Sequence, residues 1–287
     1  MVDRLPARTL DVLRRAFGIF SGRGARFLGA AVAFYALLSA APLFVLVLHV
    51  VGAVFGRARA ESALWSGLEG WMAADAVGTV RQLTERLEQH EASGSGKILG
   101  FALVVYGSTR LFRALRRALN QLWGIDVEAV ERRRSTALKY GWRYGGALAL
   151  ALLVALLVAL LVVEKSAFAF LAKYGTDVPL RLVWLVDLAT SGAIAFLLFA
   201  ALFFTLPETN VSFRQALLSA LVSTILFAVG SSLVTAYVRH KKLDDLYEGA
   251  SAVVLAVVWV YYSAQAFFFG ASIGAALHER DRAALDT

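Results

Sequence analysis

Apolar residues in this chain come in blocks, and the blocks set its expected architecture. Six runs stand out, near 27–52, 97–112, 144–163, 180–205, 215–238 and 250–275. The first is expected to continue as helix to residue 56 and the second to 124. Most of the runs reach the roughly 18 to 20 residues that a helix needs to cross about 30 Å of hydrocarbon. Polar punctuation separates them: Ser21-Gly-Arg-Gly24 before the first, Ala92-Ser-Gly-Ser-Gly96 before the second, Leu206-Pro207 after the fourth. The pattern predicts an all-α integral membrane protein with six transmembrane helices in a single membrane domain.

Two stretches outside the runs also have helical period. In residues 1–26, Leu10, Leu13, Phe17 and Phe20 fall on one side, with Arg8, Arg14 and Arg15 mostly elsewhere. That predicts an N-terminal interfacial helix lying on the membrane surface. Residues 57–96 mix acidic and basic side chains and place Leu83 and Leu87 four apart. They predict one or two external amphipathic helices between spans one and two, with 92–96 as a hinge.

Composition sharpens the choice of solvent. Of 287 residues 59% are hydrophobic, more than a soluble domain of this length needs for its core. The first run follows Arg4, Arg8, Arg14 and Arg15 and is too long for the apolar region of a signal peptide, so a cleavable signal is not expected. The absence of cysteine excludes disulfides, thiolate metal sites and cysteine catalysis.

The net charge of +8 matters through its placement. Six spans put both termini on one side, and 17 of the 29 Lys and Arg fall on that side, against 11 on the other and Arg110 within a span. The segment 113–143, with Arg132-Arg133-Arg134, dominates the bias. Both termini, including the tail 276–287, are therefore expected to be cytoplasmic. Topology and anionic lipid headgroups, worth about 1 kcal/mol per juxtamembrane cation, account for the excess. Nucleic acid is not required; the expected partners are membrane lipids at the cytoplasmic face. Six spans leave room for a homo-oligomer.

Several polar residues interrupt the runs. Ser39 and Pro42 lie inside the first span, and a proline there removes one backbone hydrogen bond and kinks the helix, here near residue 38. His49, further along, is expected to bond locally. Ile98 to Thr109 supplies only 12 uncharged residues, which cover about 18 Å, so the second helix must continue through Arg110. Leu111, Leu115, Leu119 and Leu122 form one stripe of it, and Arg110, Arg113, Arg117 and Asn120 another. Either these arginines snorkel to inner-leaflet phosphates, or Arg110 faces a polar cavity and meets an anionic substrate. Asp187, inside the fourth run, either pairs with a cation on another span or marks a substrate site. Ser219, Ser223, Ser231 and Ser232 in the fifth and Gly270-Ala-Ser-Ile-Gly274 in the sixth predict faces for close helix packing.

Enzymatic chemistry finds little footing. His49, His90, His240 and His278 lack metal-ligand spacing. Asp244, Asp245 and Glu248 sit beside Lys241 and Lys242, which neutralise them. Gly96-Lys97 lacks the rest of a phosphate-binding loop. Neither a metal nor a cofactor is expected.

The order of several short elements then resembles a known family. Tyr35…Ser39-Ala-Ala-Pro42, Ala118-Leu-Asn-Gln-Leu-Trp123, Leu206-Pro207, Tyr247-Glu-Gly-Ala-Ser251, Trp259-Val-Tyr-Tyr-Ser263 and Phe269-Gly-Ala-Ser-Ile-Gly-Ala-Ala-Leu277 together resemble the YihY/BrkB family of bacterial inner-membrane proteins, over roughly 27–277. The resemblance implies six helices, both termini inside, in the bacterial cytoplasmic membrane. Members carry the labels virulence or serum-resistance factor, ribonuclease BN, and lipid or lipopolysaccharide movement.

RNA hydrolysis needs clustered carboxylates or histidines, whereas Asp126, Glu128, Glu131 and Glu208 are dispersed among arginines. The ribonuclease reading is therefore the weakest of three. A transporter or handler of anionic amphiphiles leads, and an envelope assembly or scaffold factor working through 57–96 is the alternative. Candidate binding or gating residues are Tyr35, Ser39, Pro42, Arg110, Arg113, Arg117, Asn120, Asp187, Trp259 and Tyr262. Arg110 and Asp187 are chosen for their depth alone, not for a match to the family's elements.

Overall fold

A computed structural model describes residues 4–69, 74–91, 94–125, 156–157, 160, 180–209, 211–240 and 251–283. All regular structure among them is helical. Helix α1 is Arg4–Gly22, α2 Ala25–Phe55, α3 Arg57–Glu69, α4 Ala74–Glu91 and α5 Gly94–Leu122. Then come α6 (Leu180–Thr205), α7 (Phe213–His240) and α8 (Ser251–Ala283). The third expected span, apart from Leu156, Leu157 and Leu160, lies outside the described residues. So do the run Arg132–Arg134 and residues 241–250.

Glycines set the breaks. Gly24 has φ 73° and Gly56 φ 87°, a region open to glycine and strained for other residues, so α1 turns into α2 and α2 into α3 at these points. Helix α5 already begins at Gly94, inside the stretch 92–96 where a hinge is expected. α2 runs as one helix through Ser39 and Pro42. α8 continues past 275, the expected end of the sixth span, to Ala283, held there by polar bonds described below.

Helix α8 is the hub, packing on α7, α1, α2, α4 and α5. Its contact with α7 is antiparallel and close. Gly274 stands against Ser219, Gly270 against Ser219 and Ser223, and Tyr262 against Leu226 and Gly230. Small residues let the two backbones approach, which is how helices associate where water supplies no hydrophobic drive. A Cβ on Gly270 would lie 2.5 Å from the Ser219 carbonyl oxygen, so this packing face excludes any larger residue. Aromatic rings fill the space towards α6. Phe203 stacks on Phe267 with centroids 4.6 Å apart, and Phe199 meets Phe227 at 5.9 Å.

The outer faces are the reverse of a soluble protein's. On α7, Leu221, Ile225, Val229 and Leu233, four residues apart, are all exposed while Ser219 and Ser223 are buried. Val186, Leu188, Leu197 and Phe204 are exposed on α6, and Phe27 and Phe34 on α2. Apolar stripes this long would drive aggregation in water; hydrocarbon is the solvent that suits them. By length and composition, 188–205, 213–233 and 256–283 are long and apolar enough to cross a membrane, and Ala25–Leu38 is a shorter apolar helix.

Helix α1 has three sectors. Val12, Ala16 and Ile19 are buried against the bundle, with Phe20 edge-on to Phe269 at 5.7 Å. Leu10, Leu13 and Phe17 are exposed on a second side, and Asp11, Arg14 and Arg15 on a third. A helix with one side to protein, one apolar and one charged fits the boundary between lipid and water.

At the far end of α2, α3 and α4 fold back over it. Val47, Leu48, Val51, Leu64, Trp65, Val77 and Val80 form an apolar cluster with Ala256 of α8. Thr84 is buried on the same side of α4 and donates to the Val80 carbonyl at 2.8 Å.

Candidate functional site

The other end of the bundle is held by polar groups, contributed by α1, α5, α6, α7 and α8 where each begins or ends. Helix α5 stops in a Schellman motif: Ile125 N–H donates to the Asn120 carbonyl at 2.9 Å and Gly124 N–H to the Gln121 carbonyl at 3.1 Å. The Leu122 carbonyl, left over at the helix end, accepts a 2.5 Å bond from Arg23 Nη1. Arg23 Nη2 pairs with Glu279 of α8 at 2.6 Å, and Gln121 Nε2 donates back to the Arg23 carbonyl at 3.0 Å. One arginine in the α1–α2 turn thus ties α5 to α8.

Helix α7 starts in a capping box. Gln215 N–H donates to Ser212 Oγ at 3.3 Å and Ser212 N–H to Gln215 Oε1 at 3.2 Å. The same Gln215 gives its Nε2–H to Asp281 of α8 at 3.0 Å. Between α6 and α7, Leu206 and Pro207 turn the chain inward and bury Glu208. Arg116 of α5 forms an ion pair with it, at 14% and 2% side-chain exposure. Asn120, fully buried, accepts the Glu208 N–H through Oδ1 at 2.8 Å. Desolvating such a pair costs several kcal/mol per ion, so it persists only with its partners in place.

Among the polar atoms here that are shut away from solvent without a hydrogen-bond partner among the described residues are Asn120 Nδ2, Trp123 Nε1 and Ser219 Oγ. They are neighbours. Trp123 lies one turn beyond Asn120, and a Cβ on Gly274 would meet both the Trp123 ring, at 3.0 Å, and Ser219 Oγ. Most buried polar groups find partners, so a group of three without them is notable chemistry.

The residues that sequence singles out divide between this junction and the spans. Asn120 is in the junction. Arg117 is exposed whereas Asn120 is buried and bonded by the chain at Glu208, so the stripe Arg110, Arg113, Arg117, Asn120 does not share one environment. Arg113 Nε donates to the Thr109 carbonyl at 3.3 Å. Arg110 is half-buried, with its guanidinium 5.0 Å from the Tyr106 ring centroid; its Nε is shut from solvent and without a partner among the described residues. Tyr35 is half-buried, edge-on to Phe34 at 5.5 Å. Trp259 meets Phe227 at 5.6 Å and touches both apolar clusters; Tyr262 Oη–H donates to the Leu226 carbonyl at 2.7 Å. His49 Nδ1 lies 2.8 Å from the Val45 carbonyl, a local bond. The side chains of Ser39, Pro42 and Asp187 lie outside the described residues.

Sequence reasoning passed over Arg116, Glu208, Arg23, Gln215 and Glu279. A signal existed for two of them. Arg116, Asn120 and Trp123 share one helical face, and Ser212-Phe-Arg-Gln215 is a capping-box sequence. Among the described residues no three His, Asp or Glu side chains gather as a metal site would require.

Outward apolar stripes, small-residue helix packing and a polar junction at one end define a helical membrane protein. The profile of the family described as Virulence factor BrkB matches residues 16–287, and the chain belongs to that family. Similar proteins include a UPF0761 membrane protein of Psychromonas ingrahamii, 36% identical over 87 residues, 30% of each chain. Another, from Alteromonas mediterranea, is 38% identical over 97 residues, 33% of each. The chain spans about a third of the length of these two relatives. A UPF0761 membrane protein of Idiomarina loihiensis is 24% identical over 202 residues, 69% of this chain and 67% of that one. No solved structure matches.

Proposed function

We propose that the chain is a six-span protein of the bacterial cytoplasmic membrane, with both termini inside, that binds and moves an anionic amphiphile without enzymatic chemistry. The sidedness draws support from the junction. Arg23, Leu122, Glu208 and Asp281, from four segments that the charge pattern puts in the cytoplasm, meet at one end of the bundle.

The observation that carries the reading is Arg110. A guanidinium keeps its charge in a protein, and this one sits partway along a span with its Nε enclosed and no acceptor among the described residues. At the bilayer centre a charge costs about 3 kcal/mol on insertion scales, and ionisable groups at membrane depth mark substrate and ion routes. A phosphate or carboxylate headgroup would supply the acceptor, and Arg113 and Arg117 continue the basic face towards the cytoplasmic end. Tyr35, Ser39, Pro42, Asp187, Trp259 and Tyr262 belong to the same proposed route.

Native mass spectrometry of gently solubilised protein tests this. Wild type should retain a distinct anionic lipid or amphiphile that Arg110→Ala, Arg113→Ala loses. Equal, nonspecific lipid binding in both would defeat the reading.

A second reading rests on α3 and α4, which present Arg81, Glu85 and Arg86 outward while packing Val77 and Val80 inward. A scaffold factor would use that charged face. Replacing 57–91 with a short linker should then abolish recovery of envelope partners, and unchanged recovery would exclude it.

A further inference from the structure

The two ends of the bundle are closed by different means. One is sealed by apolar side chains, Val47, Leu48, Val51, Leu64 and Trp65 among them. The other is closed over three enclosed polar atoms, Asn120 Nδ2, Trp123 Nε1 and Ser219 Oγ, that have no partner among the described residues. Parting α5 from α7 and α8 at this end would let water reach all three, so hydration favours opening there and nowhere at the apolar end. Two ties oppose it: the buried pair Arg116–Glu208, and the bridge from Arg23 to the Leu122 carbonyl of α5 and to Glu279 of α8. A junction that hydration opens and a few polar ties close has two discrete arrangements.

We infer that this junction is a gate: the end of α5 swings away from α7 and α8, parting Trp123 from Gly274 and Ser219, the Arg116–Glu208 pair is the latch, and the open form lines a watery mouth with Arg116, Asn120, Trp123 and Ser219. The deeper part of the α7–α8 contact stays shut. There Ser223 Oγ–H donates to the Ala266 and Phe267 carbonyls, at 3.3 and 3.4 Å, and no polar atom of that residue gains from water. The inference goes beyond the proposed cargo and stands whether or not the cargo is an anionic amphiphile.

The chain has no cysteine, so single thiols report directly. Ser219→Cys and Ser223→Cys are made separately in the full chain, purified in detergent, and followed by intact mass during maleimide labelling. The same pair is repeated with Glu208→Gln. The gate requires slow labelling at 219, accelerated about tenfold or more when the latch is removed, with 223 protected throughout. Three results would overturn it: 219 as inert as 223 in both backgrounds, 219 labelling at one rate regardless of residue 208, or both thiols accelerated alike, which is general loosening. Elution volume and helical circular dichroism establish that each variant is folded. If Glu208→Gln does not fold, Arg23→Gln weakens the more exposed tie and is read the same way.

Discussion

Arg116 on α5 and Glu208 in the α6–α7 turn face each other inside the protein, and each is the other's charge partner. Removing one partner of a buried pair leaves a desolvated charge and costs about 3 to 5 kcal/mol, whereas replacing both with apolar residues is often neutral. Arg116→Met alone should therefore lower thermal stability in detergent more than Arg116→Met combined with Glu208→Leu. If the double variant is as unstable as the sum of both singles, the pair is not coupled and the junction is held otherwise.

Gly274 fits between Ser219 and Trp123 with no space for a methyl group. Gly274→Ala should cost roughly 1 to 3 kcal/mol, the usual range for overpacking. Adding Ser219→Gly removes the nearest obstruction and should recover part of that loss. The check is the melting temperature of the two variants side by side. Full tolerance of Gly274→Ala would mean that α7 and α8 are further apart than this packing requires.

Sequence alone reveals the elements that rest on local period. The runs at 180–205, 215–238 and 250–275 fall on the helices α6, α7 and α8, with α8 running on to Ala283, because a long continuous apolar run is visible without knowledge of any partner. Gly270 and Gly274 are legible as a packing face for a similar reason, spacing on one helix. The junction is not legible. Glu208 and Arg116 are far apart in the chain, and a single sequence does not say that the turn after Pro207 folds back onto α5. The basic stripe misleads in the same way: four residues share a helix face by spacing, but Asn120 is buried and bonded by the Glu208 backbone whereas Arg117 is exposed.

Tyr262 and Gly230 separate a hydrogen bond from a packing constraint. Tyr262 Oη–H donates to the Leu226 carbonyl at 2.7 Å, while its ring fills the place a Cβ on Gly230 would occupy. Tyr262→Phe keeps the ring and should cost about 0.6 kcal/mol, the average for bonds between membrane helices. Gly230→Ala should cost more, about 1 to 3 kcal/mol, since the ring must shift. Unfolding titrations in mixed micelles would rank them. The reverse order would show that the bond, and not the close approach, positions these helices.

The three sectors of α1 make the sharpest prediction about where this helix lies. Phe17 is 59% exposed and apolar, Arg15 is exposed and charged, and Ala16 between them is fully buried. Consecutive positions on one helix point about 100° apart, so three neighbouring labels sample three surroundings. Nitroxides on Phe17→Cys, Ala16→Cys and Arg15→Cys, in a chain without other cysteines, should report them separately in liposomes. The label at 17 should collide with oxygen, which concentrates in lipid, and that at 15 with a water-soluble nickel complex. The label at 16 should be immobile and reached by neither. If 17 and 15 meet the nickel complex equally, α1 is in water, and its exposed Leu10, Leu13 and Phe17 need a protein partner instead of the bilayer surface.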